Sequence, residues 1–115
     1  MFVDISSLKI YVKPGATDLR KQHAGLAVVV KNLMGADPFS GSLFLFCNRR
    51  RNLLKVLYWE ANGFCLWQKR LERDTFPWPK NKEQALQISE RQLRLLLEGL
   101  DIWNAHKKLF YTEVA

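Results

Sequence analysis

Residues 37–79 read DPFSGSLFLFCNRRRNLLKVLYWEANGFCLWQKRLERDTFPWP, and the fold is decided by this stretch. It holds three apolar runs, 43–47, 53–59 and 64–71. They are separated by Asn48-Arg49-Arg50-Arg51-Asn52 and by Glu60-Ala61-Asn62-Gly63. Aromatic and branched residues bounded by turn formers spell strands, and Asn-Gly between two such runs is a strong hairpin signal. The reading is a three-stranded antiparallel meander with a core over 43–78, in which 75–78 is available as a further short strand.

The hairpin register has two solutions. With Asn62-Gly63 as a two-residue loop, Lys55 stands opposite Arg70. With Ala61-Asn62-Gly63 as a three-residue loop, it stands opposite Lys69. Both set cation against cation, which is unfavourable unless something negative relieves it. Either the two side chains bend apart into water or toward Glu72, or an anionic partner fills the gap.

Working outward, residues 8–13 (LKIYVK) alternate like a strand with one solvated face, and Pro14-Gly15 then turns the chain. Thr17 or Asp18 offers an N-cap and Gly35 a stop, giving a helix over about 18–34. Leu19, Leu26, Val30 and Leu33 form its apolar stripe, and Arg20, Lys21 and Lys31 project from it. Val28-Val29-Val30 weakens helix propensity, so packing has to hold this segment helical. On the other side of the meander, Ser89 and Gln92 match a capping box that opens a second helix over about 89–99. Its stripe is Ile88, Leu93, Leu96, Leu97 and Leu100. The tail, 101–115, either packs as a final strand or stays loose. The expected fold is α+β: a single domain in which an antiparallel β-meander of three to five strands packs with two amphipathic helices.

A chain of 115 residues supports one domain with a real core. No run approaches the ~18 apolar residues of a membrane span. The N-terminal MFVDISSLKIYVK lacks the basic-then-apolar pattern of an export signal. The expectation is a cytoplasmic protein without a membrane partner. Cys47 and Cys65, on neighbouring expected strands, read as small buried thiols. The formal charge of +7 favours an anionic partner. The positive excess is concentrated on the meander, where seven of the 18 basic residues meet only three acids (Glu60, Glu72 and Asp74).

Catalytic chemistry is thin. Gly15, Gly25, Gly35 and Gly41 lack phosphate-cradle spacing. His23 and His106 have no neighbouring nucleophile pattern, and His23 reads as a half-buried polar residue. A metal site from Cys47, Cys65, His23 and His106 would need distant ligands without paired spacing. Asp18 and Asp37 fit cap and turn roles. No enzyme activity and no cofactor are expected.

Arg49-Arg50-Arg51 is the sharpest feature, because adjacent guanidinium groups on a hairpin tip grip phosphates bidentately. With Lys55, Lys69, Arg70 and Arg73 they form the expected nucleic-acid contacts. Asn48 and Asn52 either make turn hydrogen bonds or read base edges. Tyr58, Trp59, Trp67, Phe76 and Trp78 either stack on bases or fill the core, and alternation lets only about half of them face solvent.

The segments TDLRKQHAGLAVVV (17–30), 37–79 as quoted, and LLLEGLDIW (95–103) resemble the small TnpB accessory proteins of the IS-sixty-six class of bacterial insertion sequences, encoded by the second reading frame. The resemblance covers most of the chain, from about residue 8 to 103. His23 departs from it, since members usually carry an apolar residue near that position. The resemblance implies an accessory factor for a separately encoded transposase, and it supplies no catalytic residues. Combined with the basic meander, it points to a protein that binds DNA at element ends or target. The alternative is a module that docks onto the transposase without touching DNA, through the aromatic sheet face or the helix at 93–100.

Overall fold

The computed structural model describes residues 4–80 and 85–103. A short 3-10 turn, Ile5–Ser7, leads into β1 (Ile10–Ala16), followed by α1 (His23–Leu33), β2 (Leu43–Cys47), β3 (Leu53–Glu60), β4 (Gly63–Arg70), β5 (Leu86–Ile88) and α2 (Glu90–Leu97). The five strands form one sheet in the order β4-β3-β2-β1-β5. The meander β2-β3-β4 is antiparallel as expected. β1 adds to it in parallel with β2, and α1 is the crossover such a pair requires.

Each sheet face carries its own core. α1 covers Phe44, Phe46, Leu53 and Leu57 with Leu26, Val29 and Val30. On the opposite face Ile10, Val12, Leu43, Leu45, Leu54 and Val56 pack with Phe76, Trp78, Leu93 and Leu96. Because both faces are covered, all five residues of β2 are buried and it reads as a continuous apolar run rather than an alternation.

Several expectations are corrected. Ala61-Asn62 is the hairpin loop, so Glu60 pairs with Gly63 and Lys55 with Gln68; no cation stands opposite another. The turn is tight, with Ala61 at φ 53° and an Asn62 N–H donating to Glu60 O at 2.6 Å. Pro14-Gly15 does not end β1 but makes an irregularity within it, between Val12 and Ala16, with Gly15 at φ 75°. β5 pairs only with residues 10–12 of β1, so Pro14 is free of a ladder on that side.

Residues 75–80 form no strand, since Pro77 and Pro79 lack ladder donors. They run along the rest of β1 instead. Gly15 N–H donates to Pro79 O at 2.8 Å, and Trp78 Nε1 donates to Lys13 O at 2.9 Å. A side chain at Gly15 would also crowd the Lys80 carbonyl, 3.3 Å from the position of a Cβ.

α1 starts five residues later than the cap reading placed it. Asp18 caps no helix; its carboxylate accepts from the backbone and guanidinium of Arg20. The N-cap is Gln22, without a side-chain bond, and His23 is exposed rather than half-buried. Gly35 does stop the helix, at φ 63°. Leu33 falls outside the buried stripe at 64% exposure. α2 has the full capping box of Ser89 and Gln92, and buries Leu93 and Leu96 while Leu100 stays exposed. Cys47 and Cys65 lie on β2 and β4, which β3 separates. The tail beyond residue 103, with His106, lies outside the described residues.

Candidate nucleic-acid interface

Parallel β1 and β2 end side by side, Ala16 against Cys47, so the loop into α1 and the turn into β3 share one end of the sheet. β4 ends there too, with Arg70 opposite Leu53.

The sequence Asn-Arg-Arg-Arg-Asn folds as it does because its two asparagines close on each other. Arg51 N–H donates to Asn48 O at 3.0 Å, closing a β-turn. Asn48 Oδ1 accepts from the N–H groups of Asn52 and Leu53 at 3.1 Å each, and Asn48 Nδ2 donates to Asn52 Oδ1 at 2.8 Å. Both side chains therefore serve the turn rather than a base edge. Arg51 adopts φ 60°, held from below by Phe76 N–H, which donates to its carbonyl at 2.6 Å. Leu71 N–H donates to Asn52 O at 2.8 Å and joins the 71–74 loop to the same scaffold.

Arg49, Arg50 and Arg51 are exposed on this turn, Arg70 and Arg73 beside it. Among the described residues none of these five meets a carboxylate at ion-pair distance. Lys55 and Lys69 are not part of this rim. Lys55 is 4% exposed, and its Nζ donates to Leu19 O at 2.8 Å and Lys21 O at 3.3 Å, which anchors the loop before α1. Lys69 points to the other face and donates to Leu97 O at 2.8 Å, a favourable place for a cation at the C-terminus of α2.

The fold brings in two cations that the sequence reading did not assign, Arg20 and Lys80. Arg20 helps line a cleft of about 660 Å³ on the α1 side of the turn, with Arg49, Arg50 and Arg70. The one carboxylate there, Asp18, is gripped by the Arg20 guanidinium at 2.7–3.2 Å, which holds it well below the usual carboxylate range. Thr17, also lining this cleft, keeps its Oγ1 buried without a hydrogen-bond partner among the described residues. Lys80 lines a second cleft of about 320 Å³ on the Trp78 side, with Arg49 and Arg51. The available signal for Arg20 was the strand–helix–strand pattern of residues 8–47; for Lys80, which depends on residues 75–80 running beside β1, the sequence held none. A parallel pair gathers its following loops at the carboxyl ends of its strands.

Chemistry of other kinds is sparse. Among the described residues no three of His, Cys, Asp and Glu are grouped to hold a metal ion. Burial pushes the Cys47 thiol up to about 12, so it is not a nucleophile near neutrality. No described helix is long and apolar enough to cross a membrane.

A family profile described as IS66 Orf2 like protein matches residues 8–107. The chain belongs to the IS66 Orf2-like family. This is a family of transposition accessory proteins without established catalytic activity. Two relatives come from Sinorhizobium fredii (strain NBRC 101917 / NGR234). The uncharacterized protein y4hO is 38% identical over 95 residues, covering 83% of each chain. The uncharacterized protein y4jC is 36% identical over 101 residues, covering 88% of this chain and 86% of its own. No solved structure matches. For this Orf2-like chain, the arginine end of the sheet is the place where exposed charge and a rigid scaffold coincide.

Proposed function

We propose that this IS66 Orf2-like protein binds the phosphate backbone of DNA through the arginine end of its sheet. It thereby helps to place a separately encoded transposase on element ends or target DNA, without chemistry of its own. The observation that carries this reading is the turn at 48–52. Three exposed guanidinium groups stand on a backbone fixed by two asparagines, with no described carboxylate to neutralise them. A fixed turn loses little freedom on binding, so more of the charge attraction appears as affinity. Arg70 and Arg73 extend the surface, and Arg20 and Lys80 complete it. Lys55 and Lys69 contribute through the scaffold.

The test is a mobility-shift titration with element-end and random duplexes at several salt concentrations. Each neutralised phosphate adds about 0.9 to the slope of log affinity against log salt. Replacing Arg49, Arg50 and Arg51 together by Ala lowers that slope by about 2–3 and leaves thermal stability nearly unchanged. An unchanged slope and affinity reject the turn as the contact.

A second reading, docking onto the transposase, is favoured by one observation. Phe39, 57% exposed, packs with Trp59 and Phe64 at ring separations of 5.0–5.2 Å, at the end of the hairpin away from the arginines. The α2 stripe does not serve that reading, because Leu93 and Leu96 are buried against the sheet. Docking of this kind persists in high salt and retards no DNA.

A further inference from the structure

We infer that the arginine turn engages both strands of a B-form DNA duplex at once, with one phosphate track in each of the two clefts beside it. This rests on the nucleic-acid reading above and specifies its substrate class.

The clefts lie on opposite sides of one hairpin end. The first is walled by Thr17 and Arg20 of the loop before α1 and by Leu53 and Arg70, which share the α1 face of the sheet. The second is walled by Gly15 and by Trp78, Pro79 and Lys80, from the segment packed on the other face. Arg49 lines both, Arg50 only the first and Arg51 only the second. The three consecutive arginines are thus divided between the two sides. Each side also receives a cation from a distant part of the chain.

Both sites are electropositive for separate reasons. In the first, the Arg20 fork neutralises Asp18 and leaves Arg49, Arg50 and Arg70 in excess. In the second, no carboxylate lies among the described lining residues. What separates the two clefts is the thickness of the hairpin with its side chains, about 10 Å from face to face. That is close to the ~12 Å width of the B-form major groove, which admits a two-stranded β-ribbon and is walled by two phosphate tracks. A single strand offers one track. The major groove of A-form RNA is deep and narrow, so it does not admit such a wedge.

The experiment measures anisotropy of the full chain with a short DNA duplex, one of its single strands, and an RNA duplex of the same sequence, across a salt series. Two variants separate the clefts, Arg70→Gln on the α1 side and Lys80→Gln on the Trp78 side. Both positions are exposed, and an unchanged melting temperature verifies folding. The DNA duplex is expected to bind about tenfold tighter than the other two probes, and each variant to remove about 0.9 from its salt slope. The two variants together abolish the preference. Equal binding of duplex and single strand, or a Lys80→Gln variant with unchanged duplex affinity and slope, overturns the inference and leaves DNA binding standing. Failure of all three probes to bind at low salt overturns both.

Discussion

The β3–β4 hairpin meets different chemistry at its two ends. At the end where β3 begins, five exposed arginines surround a turn braced by Asn48 and Asn52. At the end where it reverses direction, Ala61-Asn62 makes a minimal loop beside the rings of Phe39, Trp59 and Phe64. Both ends expose side chains outside the core, the arginines at one and Phe39 at the other. Their difference lies in how the backbone is held. The arginine turn receives bonds from its own asparagines and from the 71–76 segment. The aromatic end is held by ring packing and by one short bond within its loop, from Asn62 N–H to Glu60 O; each end carries a non-glycine residue at positive φ, Arg51 at 60° and Ala61 at 53°. Rigid, unneutralised charge suits an extended polyanion, whereas a partly exposed apolar cluster suits a protein surface.

The comparison breaks first if the sheet's lysines turn out to be part of the basic surface. Lys55 is the third residue of β3, two positions in from the end at the arginine turn, yet its Nζ donates to two backbone carbonyls. Lys55→Ala removes a charged donor from buried acceptors, so it should reduce stability by about 3 kcal/mol in denaturant titrations. DNA affinity per folded molecule should fall only a few-fold, through loosening of the loop that carries Arg20. A large affinity loss with normal stability would return Lys55 to the rim.

A smaller effect sharpens the claim of a braced turn. Asn48→Ala removes the Oδ1 acceptor shared by Asn52 and Leu53 and the donor to Asn52. The expected loss is about 1–2 kcal/mol of stability, read from the denaturation midpoint. A several-fold weaker DNA affinity should accompany it, although no cation is removed. Intact affinity would show that bracing is unimportant to binding.

The smallest effect uses the two cysteines as reporters. Cys47 ends β2 beside the arginine turn and is buried, while Cys65 is half-buried near the aromatic end. Burial raises the Cys47 thiol to about 12, so near pH 8 it stays protonated and unreactive, and gains reactivity only as pH climbs toward that value. Alkylation followed by mass mapping should modify Cys65 first. Preferential labelling of Cys47 would mean that the arginine end opens readily.

Much of this was legible in residues 37–79. Apolar runs and turn formers placed β2, β3 and β4 within a residue or two, and the capping box placed α2. What escaped has physical causes. The hairpin loop slid by one position from the Asn-Gly reading because Ala61, not Asn62, takes positive φ. The start of α1 was misread because Asp18 prefers the adjacent Arg20 guanidinium to a helix N–H. The arginine triplet was visible as an exposed turn between strands, but the separation of Lys55 and Lys69 from it was not. A long cationic side chain reads the same in sequence whether it reaches water or a buried carbonyl. Arg20 and Lys80 were missed because their place at the rim depends on the parallel β1–β2 pairing and on residues 75–80 running beside β1.

The most direct measurement is an amide chemical-shift titration of the labelled full chain with a short DNA duplex. The account predicts that the perturbed amides cluster at 16–20, 48–52 and 70–74 and include that of Lys80, with those near Phe39, Trp59 and Phe64 unmoved. Perturbations centred on the aromatic end, or spread evenly over the basic residues including Lys55 and Lys69, would contradict it.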